Sequence, residues 1–517
     1  MKRIYAIWLL ILLLIIPAFA GDLKTAAEKA DFKAITSNEE LVNYLIDLQQ
    51  TTDNMKIKFF GSSASGQQMP MVILAKPPVY SPWEAYFQGK VIFLIDAQVH
   101  GNEPAGCEAS LILMRKIAGG DLSYLLDKMV IIIVPRLNPD GAEAFRRHNS
   151  LNYDMNRDYM KIDSPEIKAF LSEVLNKYHP HVVIDAHEAG SRAYDFLLES
   201  CLHPNAPGNL SRIGEKEFLA AIKTALEEKG YKPFWYFKFV SKNKPEEGIK
   251  RGSFQSTTNR NYSGLQNSIS FLFESTTFPG RSDLGKRVNC HLIAMTAALK
   301  YAYEHNEEVL KAVNEARIQA YAGKAGDKIA LREKRVASPE PVEYLIYEIR
   351  EVKDPQTGRI KLERTEKVVK VKGTAFDLLV PTLVTERPYG YILPPYMRKI
   401  AEILKIHGIS VERLARPANL SVESFIVEEA KTKKKVEEGH FKVCIKVRKQ
   451  KETRLFEDGS FYISLAQPSA NLAISLLEPE AENSLLSVNY FDSFLEKGAR
   501  LPVYRIVEKP NISTVLE

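Results

Sequence analysis

The sequence predicts an α/β fold with a mixed, largely parallel sheet flanked by helices, followed by a smaller, β-rich α+β region. From about residue 90 to 305, short apolar runs alternate with longer amphipathic ones, a pattern typical of strands and helices in a layered sheet. The predicted strands lie at 91–96, 129–136, 181–185 and 270–274. The predicted helices lie at 103–117, 165–177, 214–229 and 283–303. Residues with metal-binding or acid–base chemistry stand near the strand ends, where open α/β sheets place their sites.

The chain of 517 residues is longer than one hydrophobic core usually supports, so we expect at least two domains. The first would span residues 21–320. Residues 321–341 are charged and include two glycines and two prolines, which predicts a linker. The second domain, 342–517, has strand patterns at 343–350, 367–371, 376–379 and 441–447 and a helix pattern at 395–407. It contains no motif that carries chemistry, so its role stays open.

Residues 1–20 have the three-part layout of a cleavable secretory signal. Lys2 and Arg3 precede an apolar stretch, residues 4–16, and the small residues Ala18 and Ala20 follow it. The stretch 4–16 is shorter than the roughly 20 apolar residues that a membrane-spanning helix needs. No later stretch is apolar enough to cross a bilayer. We therefore expect an exported protein, periplasmic or extracellular, with no stable membrane insertion after the signal is cleaved.

Charge and cysteine content argue against two kinds of site. The chain has 70 Lys and Arg against 64 Asp and Glu, so a mature form without Lys2 and Arg3 carries 68 against 64, a net charge of +4. This weak and evenly spread excess predicts no nucleic-acid partner. The four cysteines are widely spaced, so a cysteine-based metal site is not expected and three full pairings stay open. They are Cys107, Cys201, Cys290 and Cys444.

Three residues predict a metal site. His100 and Glu103 form an H-x-x-E motif after the first strand, and their spacing brings both side chains to one side of a turn. A lone H-x-x-E is a common coincidence. His187 strengthens the prediction because it follows the apolar run 182–186 and so leaves a buried strand at its exposed end. Two imidazoles and one carboxylate can hold a catalytic zinc on three sides and leave a fourth position open.

A second group of residues predicts recognition of a carboxylate or an oxyanion. Arg147, Asn156 and Arg157 lie in a polar segment, 138–158. A guanidinium offers a fixed fork of donors that matches a carboxylate or a developing oxyanion, which a lysine does not. For the neighbouring Arg146 we expect only a surface position.

Glu274 is the candidate general base. It ends the apolar run 270–273, where burial would raise its pKa toward the range useful for proton transfer. Glu188 is the rival. We rank it second because the side chain next to a ligand such as His187 tends to point elsewhere.

These segments resemble the zinc metallocarboxypeptidases of the carboxypeptidase A type. The resemblance covers about residues 35–305, and the motifs agree in order with those of the family. They are His100-Gly101-Asn102-Glu103, Asn138-Pro139-Asp140-Gly141, Arg147, Asp154-Met155-Asn156-Arg157, His187 and Glu274.

The resemblance implies a carboxypeptidase-like fold and a role for each residue. The ligands of one zinc ion per chain would be His100, Glu103 and His187. The groups that hold the terminal carboxylate of the substrate would be Asn156 and Arg157. The catalytic groups would be Arg147, which stabilises the oxyanion, and Glu274, which acts as general base and acid.

The C-terminal half has a looser resemblance, to segments that follow the peptidase domain in a bacterial branch of large, exported family members. These segments are Arg387-Pro388-Tyr389-Gly390-Tyr391, His407-Gly408, Gln467-Pro468 and Leu477-Glu478-Pro479.

One departure from the family concerns a mobile tyrosine that covers the bound C-terminal residue, about two dozen positions before the base. Counting back from Glu274 reaches Arg251-Gly252-Ser253, which contains no tyrosine. Tyr262 lies nearer, and we interpret it as structural. The preference for the C-terminal residue and strict exopeptidase action therefore stay open.

We predict an exported zinc metallopeptidase, a carboxypeptidase that hydrolyses C-terminal peptide bonds with zinc-activated water. Its partner would be a peptide or protein C-terminus, with a cell-wall peptide as one option. One alternative is a zinc-dependent deacylase of the aspartoacylase and succinylglutamate desuccinylase kind, against which the Asn-Pro-Asp-Gly segment and the signal argue. The other is a zinc-free cell-envelope binding protein that kept the fold.

Overall fold

The protein is described by a computed structural model that covers residues 23–190, 192–241, 243–277, 283–353, 355–356 and 359–517. The predicted signal peptide, residues 1–20, lies outside the described residues. The first ten strands are β1 (Met55–Ser62), β2 (Gln68–Leu74), β3 (Val91–Ala97), β4 (Met129–Val134), β5 (Val182–Ala189), β6 (Phe196–Ser200), β7 (Pro233–Trp235), β8 (Phe237–Phe239), β9 (Ile249–Arg251) and β10 (Ile269–Thr276).

Eight of these strands form the central sheet, in the order β1-β2-β4-β3-β5-β10-β6-β7. The four middle strands, β4, β3, β5 and β10, run parallel to one another, whereas β2 and β6 join them antiparallel. The middle strands are buried along their whole length, as expected for a sheet that is covered on both faces. The predicted mixed, largely parallel sheet and its four predicted strands are confirmed.

The helices of this part are α1 (Ala26–Lys29), α2 (Asn38–Gln49), α3 (Pro82–Phe87), α4 (Ala105–Ala118), α5 (Pro139–Glu143), α6 (Pro165–Ala169), α7 (Asn176–Tyr178), α8 (Gly208–Ile213), α9 (Leu219–Glu228), α10 (Asn259–Leu265), α11 (Leu284–Glu304) and α12 (Asn306–Ala322). A π-helical turn, Phe170–Leu175, joins α6 to α7, and another, Gly214–Phe218, joins α8 to α9. The four predicted helices are therefore present. Across the described ranges, no helix is long and apolar enough to cross a bilayer.

Helices α2, α4, α9 and α11 cover one face of the central sheet. Phe93 and Ile95 on β3 point into the apolar cluster on this face, together with Leu113 of α4 and Leu299 of α11. On the opposite face of β3, Ile92 and Leu94 belong to a different cluster. The alternation of side chains along β3 thus separates two cores.

The C-terminal strands are β11 (Lys328–Val336), β12 (Val342–Lys353), β13 (Ile360–Gly373), β14 (Ala375–Phe376), β15 (Leu378–Glu386), β16 (Gly390–Leu393), β17 (Glu412–Leu414), β18 (Ala418–Thr432), β19 (Val443–Phe456), β20 (Phe461–Ser464), β21 (Arg500–Ile506) and β22 (Thr514–Leu516), with helices α13 (Arg398–Ile406) and α14 (Ala470–Leu477). Seven of them form a second sheet, in the order β19-β18-β21-β16-β20-β17-β22. The β-rich α+β character predicted for this half is confirmed.

The segment predicted as a linker, 321–341, contains strand β11, which pairs antiparallel with β15. Its charged residues fit a two-stranded ribbon because such a ribbon has solvent near both faces. The domain boundaries themselves stay a prediction.

One apolar cluster runs from the central sheet into the C-terminal half. It includes Ile92 on β3, Tyr262 and Leu265 on α10, Leu404 on α13 and Leu472 on α14, all nearly fully buried. The C-terminal half therefore packs against α10 and shares a core with the central sheet, and α10 lies next to the candidate site.

Candidate metal and active site

The loop after β3 carries the H-x-x-E motif. The N–H of Glu103 donates to the carbonyl oxygen of His100 over 3.1 Å, which closes one turn and brings the two side chains together. The turn requires glycine at position 101, because a Cβ there would lie 2.0 Å from the carbonyl carbon of Gly141. The two loops are thus in backbone contact.

The segment 138–141 positions this loop. The Oδ1 atom of Asn138 accepts a hydrogen bond from the N–H of Gly141 at 2.8 Å and caps α5. Its Nδ2 donates to the carbonyl oxygens of Val99, at 3.1 Å, and Arg147, at 3.3 Å. One amide therefore ties the loop of His100 to the segment that carries Arg147.

The three predicted metal ligands meet at one point. Ligand atoms from His100, Glu103 and His187 lie within 4.8 Å of one another, and all three residues are buried. The Glu103 carboxylate lies 2.9 Å from Nδ1 of His100 through one oxygen and 2.9 Å from Nδ1 of His187 through the other. Strand β5 is longer than predicted, so His187 lies within it and not past its end.

A carboxylate stands at the far nitrogen of each imidazole. His100 Nε2 lies 3.1 Å from Asp154 Oδ1, and His187 Nε2 lies 2.7 Å from Asp185 Oδ1. Such partners fix the tautomer that leaves Nδ1 able to bind a metal. Burial would raise the pKa of Glu103, but the two imidazoles lower it to about 2, so the carboxylate stays charged. The donor set and its supporting carboxylates fit zinc.

Glu274 stands beside the ligands. Strands β5 and β10 pair in parallel, and His187 and Glu274 are direct partners in that register. Burial raises the pKa of Glu274 to about 7, although the nearby His187 acts in the opposite direction. A carboxylate with this pKa is suited to proton transfer near neutral pH.

The rival base, Glu188, is held by other groups. Its Oε1 accepts a hydrogen bond from the N–H of Ala105 at 2.7 Å, and its Oε2 is paired with Arg287. It reaches the edge of the cavity, but both oxygens are engaged with α4 and α11.

Arg147 lies over the metal ligands. Its Nε and Nη2 donate to Oδ2 of Asp154 at 3.0 and 2.9 Å, and its Nη1 lies 3.1 Å from Nδ1 of His100. The side chain is 37% exposed. Asp154 therefore orients both the first histidine and the arginine, and Arg147 keeps donors that face the cavity.

Asn156 and Arg157 lie in the cavity wall. Asn156 is buried: its Oδ1 accepts from the N–H of Asn259 at 2.9 Å, and its Nδ2 lies 3.1 Å from Oδ2 of Asp185. Arg157 is half-buried and donates through Nη1 to the carbonyl of Asn156 at 2.5 Å. Their assigned role in carboxylate binding stays a prediction, and Arg157 is the more accessible of the two.

All the predicted site residues line one cavity of about 250 Å³. The sequence did not single out several of its other lining residues. Leu272 could have been found, because it stands two positions before Glu274 on the same face of β10. The others come from segments without a chemical pattern. They are Arg192, Tyr236, Lys238, Ser253, Thr258 and Arg260.

Tyr236 bears on the missing lid tyrosine. It lies between β7 and β8, upstream of the position at which counting from Glu274 found none, and it lines the cavity. Burial raises the pKa of Tyr236, and the charge of Glu274, which lines the same cavity, adds to that effect.

Residues 41–232 match the zinc carboxypeptidase family. The chain is also similar to carboxypeptidase 2 of Trichophyton rubrum, with 24% identity over 497 residues, 91% of this chain and 86% of the fungal protein. The carboxypeptidase 2 of Trichophyton tonsurans is 24% identical over 469 residues, 86% of this chain and 81% of its own length. The similarity therefore extends well into the C-terminal half.

Solved structures of carboxypeptidases are similar to a smaller share of the chain and at lower identity. A metallo-carboxypeptidase from Burkholderia cenocepacia has a TM-score of 0.41 and 18% identity over 51% of this chain and 68% of its own. Carboxypeptidase A from Helicoverpa armigera has a TM-score of 0.42 and 16% identity over 56% of this chain and 80% of its own. The family match spans both predicted histidine ligands, Glu103 and the two site arginines, so the similarity to zinc carboxypeptidases includes most of the candidate site and ends before Glu274.

Proposed function

We propose that the protein is an exported zinc-dependent carboxypeptidase that removes residues from peptide C-termini. The observation that carries this proposal is the convergence of His100, Glu103 and His187 within 4.8 Å, with Glu274 beside them in register. A buried cluster of two imidazoles and two carboxylates at the wall of a small cavity is suited to metal-assisted hydrolysis.

The three ligands would hold one zinc ion through Nδ1 of both histidines and the carboxylate of Glu103. Zinc, when bound, would supply Lewis acidity toward a carbonyl oxygen and toward water. Asp154 and Asp185 would keep the two imidazoles in the orientation that binding requires, because each accepts from the opposite ring nitrogen.

Glu274 would accept a proton from water and deliver it to the leaving amine. Its raised pKa lets both protonation states be populated near neutral pH. Arg147 would donate to the oxygen of the scissile carbonyl as negative charge develops there. Arg157, with Asn156 behind it, would bind the terminal carboxylate, since a guanidinium matches that group through two donors.

The decisive experiment is incubation of the purified mature protein with peptides that carry either a free or an amidated C-terminus, with products identified by mass. We expect single residues to be released from the free C-termini only. Internal cleavage would contradict exopeptidase action, and release of acyl groups from N-acyl amino acids without peptide cleavage would favour a deacylase.

Metal analysis tests the same proposal independently. We expect one zinc per chain, and His187→Ala should lose both zinc and activity while the fold survives. His305→Ala, at a half-exposed histidine outside the cavity, is the matched control and should keep both. Zinc retained in full by His187→Ala would remove His187 from the site, and a purified protein without zinc would favour the binding-protein alternative.

Export is tested by expressing the full chain and determining the N-terminus of the material found outside the cytoplasm. Cleavage near Gly21 is expected. An intact N-terminus retained in the membrane fraction would contradict the signal-peptide assignment.

A further inference from the structure

Arg260 is a buried arginine at the wall of the candidate site. It lies in the first turn of α10, its side chain is nearly fully buried, with the residue 3% exposed, and it lines the cavity. Its Nη2 donates to the carbonyl oxygen of Ser253 at 2.6 Å, whereas its Nε has no hydrogen-bond partner. Within the residues that the structure describes, no carboxylate forms an ion pair with its guanidinium.

Two other buried arginines without an ion pair among the described residues are held by neutral oxygens: Arg136 donates to three and Arg387 to two, against one for Arg260. Two further arginines with little solvent exposure are paired with carboxylates. Arg251 is bound by Glu199 and Glu215, and Arg505 is bound by Glu423 and Glu478. A buried charge is costly unless it is paired. Arg260 therefore lacks the compensation that these two receive from the protein.

The neighbouring carboxylate, Glu199, is already engaged. Gly252 stands between the two: a Cβ at this position would lie 3.0 Å from Oε2 of Glu199 and 3.2 Å from Nη2 of Arg260. The N–H of Gly252 donates to that same Oε2 at 2.9 Å, and Arg251 binds the other oxygen. The Arg260 guanidinium is left to face the cavity.

The cavity is also crowded with positive charge. Arg147, Arg157, Arg192 and Lys238 line it together with Arg260, and these five cations outnumber the three carboxylates of the same lining, Glu103, Glu188 and Glu274. Burial lowers the pKa of Lys238, and the nearby arginines lower it further. Such a concentration of cations favours an anionic ligand that carries more than one negative charge.

Arg260 and the predicted carboxylate-binding residues are structurally linked. The N–H of Asn259, the residue before Arg260, donates to Oδ1 of Asn156 at 2.9 Å. The first turn of α10 is thus fixed to the residue that precedes Arg157. A ligand whose α-carboxylate binds at Arg157 would extend its side chain into the same small cavity that Arg260 lines.

We propose that Arg260 binds a carboxylate on the side chain of the substrate's C-terminal residue, so that the enzyme prefers peptides that end in an acidic residue. This inference rests on the proposed function and specifies its substrate class. The substrate would carry two carboxylates, one on the backbone and one on the side chain, and the second would supply the counter-ion that the protein does not provide.

The test uses pairs of N-acylated dipeptides that differ only in C-terminal Glu or Gln, with kcat/KM measured for the zinc-loaded protein. We expect the wild type to prefer Glu by about tenfold or more, since a charge-assisted hydrogen bond is worth about that factor. Arg260→Gln should abolish the preference, mainly through loss of activity on the Glu peptide. Arg260→Lys, which keeps the charge, should retain part of it.

The matched control is Arg416→Gln, which removes the same charge from an exposed position outside the cavity and should leave the Glu-to-Gln ratio unchanged. Equal hydrolysis of the two peptides by the wild type, or an unchanged preference in a folded Arg260→Gln variant, would overturn the proposal. If Arg260→Gln does not fold, the Glu-to-Gln ratio of the wild type and that of Arg260→Lys still test the proposal.

A binding measurement separates this inference from the proposed function. Calorimetric titration with N-acetylglutamate and N-acetylglutamine should show tighter binding of the dicarboxylate, lost in Arg260→Gln. Preferential binding without hydrolysis of either peptide would refute the carboxypeptidase activity and support the anion site. Hydrolysis of both peptides with equal binding of both ligands would refute the anion site alone.

Discussion

The two halves of the molecule use their polar residues in different ways. Around the candidate site, polar side chains converge on one point. The single carboxylate of Asp154, for example, contacts His100, Arg147 and the N–H of Asn156. In the C-terminal half, many polar side chains pair with one another, and several others reach toward the first half. The difference indicates that one half holds chemical groups and the other supports the scaffold beneath them.

The support is concentrated near α10 and the segment before it. The hydroxyl of Tyr262 lies 2.9 Å from Nδ1 of His407, and Ser469 donates to Oε1 of Gln266 at 2.9 Å. Arg335 donates to the carbonyl oxygen of Gly252 at 2.6 Å. These contacts hold the wall of the cavity that carries Arg260, although none of the C-terminal residues that the structure describes lines that cavity itself.

The largest expected effect is on chemistry. Glu274→Gln keeps the shape of the side chain but cannot accept a proton, so kcat should fall by roughly 10²–10⁴-fold with zinc still bound. Glu188→Gln is the matched control, because that side chain binds the N–H of Ala105 and Arg287. Steady-state kinetics and metal analysis of both variants provide the measurement.

The reverse outcome, an inactive Glu188→Gln and an active Glu274→Gln, would move the proton transfer to Glu188. It would also show that the register of β5 and β10 does not identify the base.

The two site arginines should separate rate from binding. Arg147→Ala should lower kcat by about 10²–10³-fold, as for other donors to an oxyanion. Arg157→Ala should mainly raise KM, because ground-state contacts act on binding. Arg146→Ala, at an exposed arginine, is the control and should change neither. A change confined to KM in both site variants would mean that the proposed division of roles is wrong.

A smaller effect, on stability, tests the supporting half. Tyr262→Phe leaves Nδ1 of the buried His407 without its partner and should lower the free energy of unfolding by about 1–3 kcal/mol. Because one apolar cluster spans both halves, the protein should still unfold in a single transition. Denaturant titration followed by fluorescence and by circular dichroism would check this. Two separated transitions would contradict the shared core.

The smallest effect is a pH-dependent contact between the halves. His440 Nε2 lies 2.8 Å from Asp163, and this hydrogen bond raises the pKa of His440 above its usual value of 6.5. The resulting stability is fully present below the unfolded-state pKa and is lost as the pH rises through the folded-state value. His440→Gln should therefore cost at most about 1 kcal/mol below pH 6 and less at alkaline pH. A cost that is independent of pH would contradict the ion pair.

The sequence could predict which residues lie together at the candidate site where the pattern is local. His100 and Glu103 stand in one turn after an apolar strand, and Glu274 ends another, so short patterns were sufficient. The extent of β5 could not be read in the same way. Asp185 and His187 interrupt its apolar run, yet the strand continues to Ala189 because both side chains face the site.

Other features depend on contacts between distant parts of the chain. The charged residues of β11 resemble a linker until β15, about fifty positions later, is placed beside them. Arg260 and Tyr236 enter the cavity from a helix and a strand connection that have no chemical motif of their own. Neither periodicity nor spacing carries information about such pairings.

The backbone contact between Gly101 and Gly141 limits how the site can be re-engineered. A Cβ at Gly101 would meet the backbone of Gly141, whereas one at Gly141 would lie 2.5 Å from Nδ2 of Asn138 and 2.7 Å from the carbonyl oxygen of His148. A side chain at position 101 would push the H-x-x-E turn away from Gly141, and one at position 141 would displace Asn138, whose amide ties that turn to the segment of Arg147. The proposed metal binding and the proposed oxyanion stabilisation would therefore change together, and a directed-evolution campaign could tune them separately only from positions outside this pair of loops.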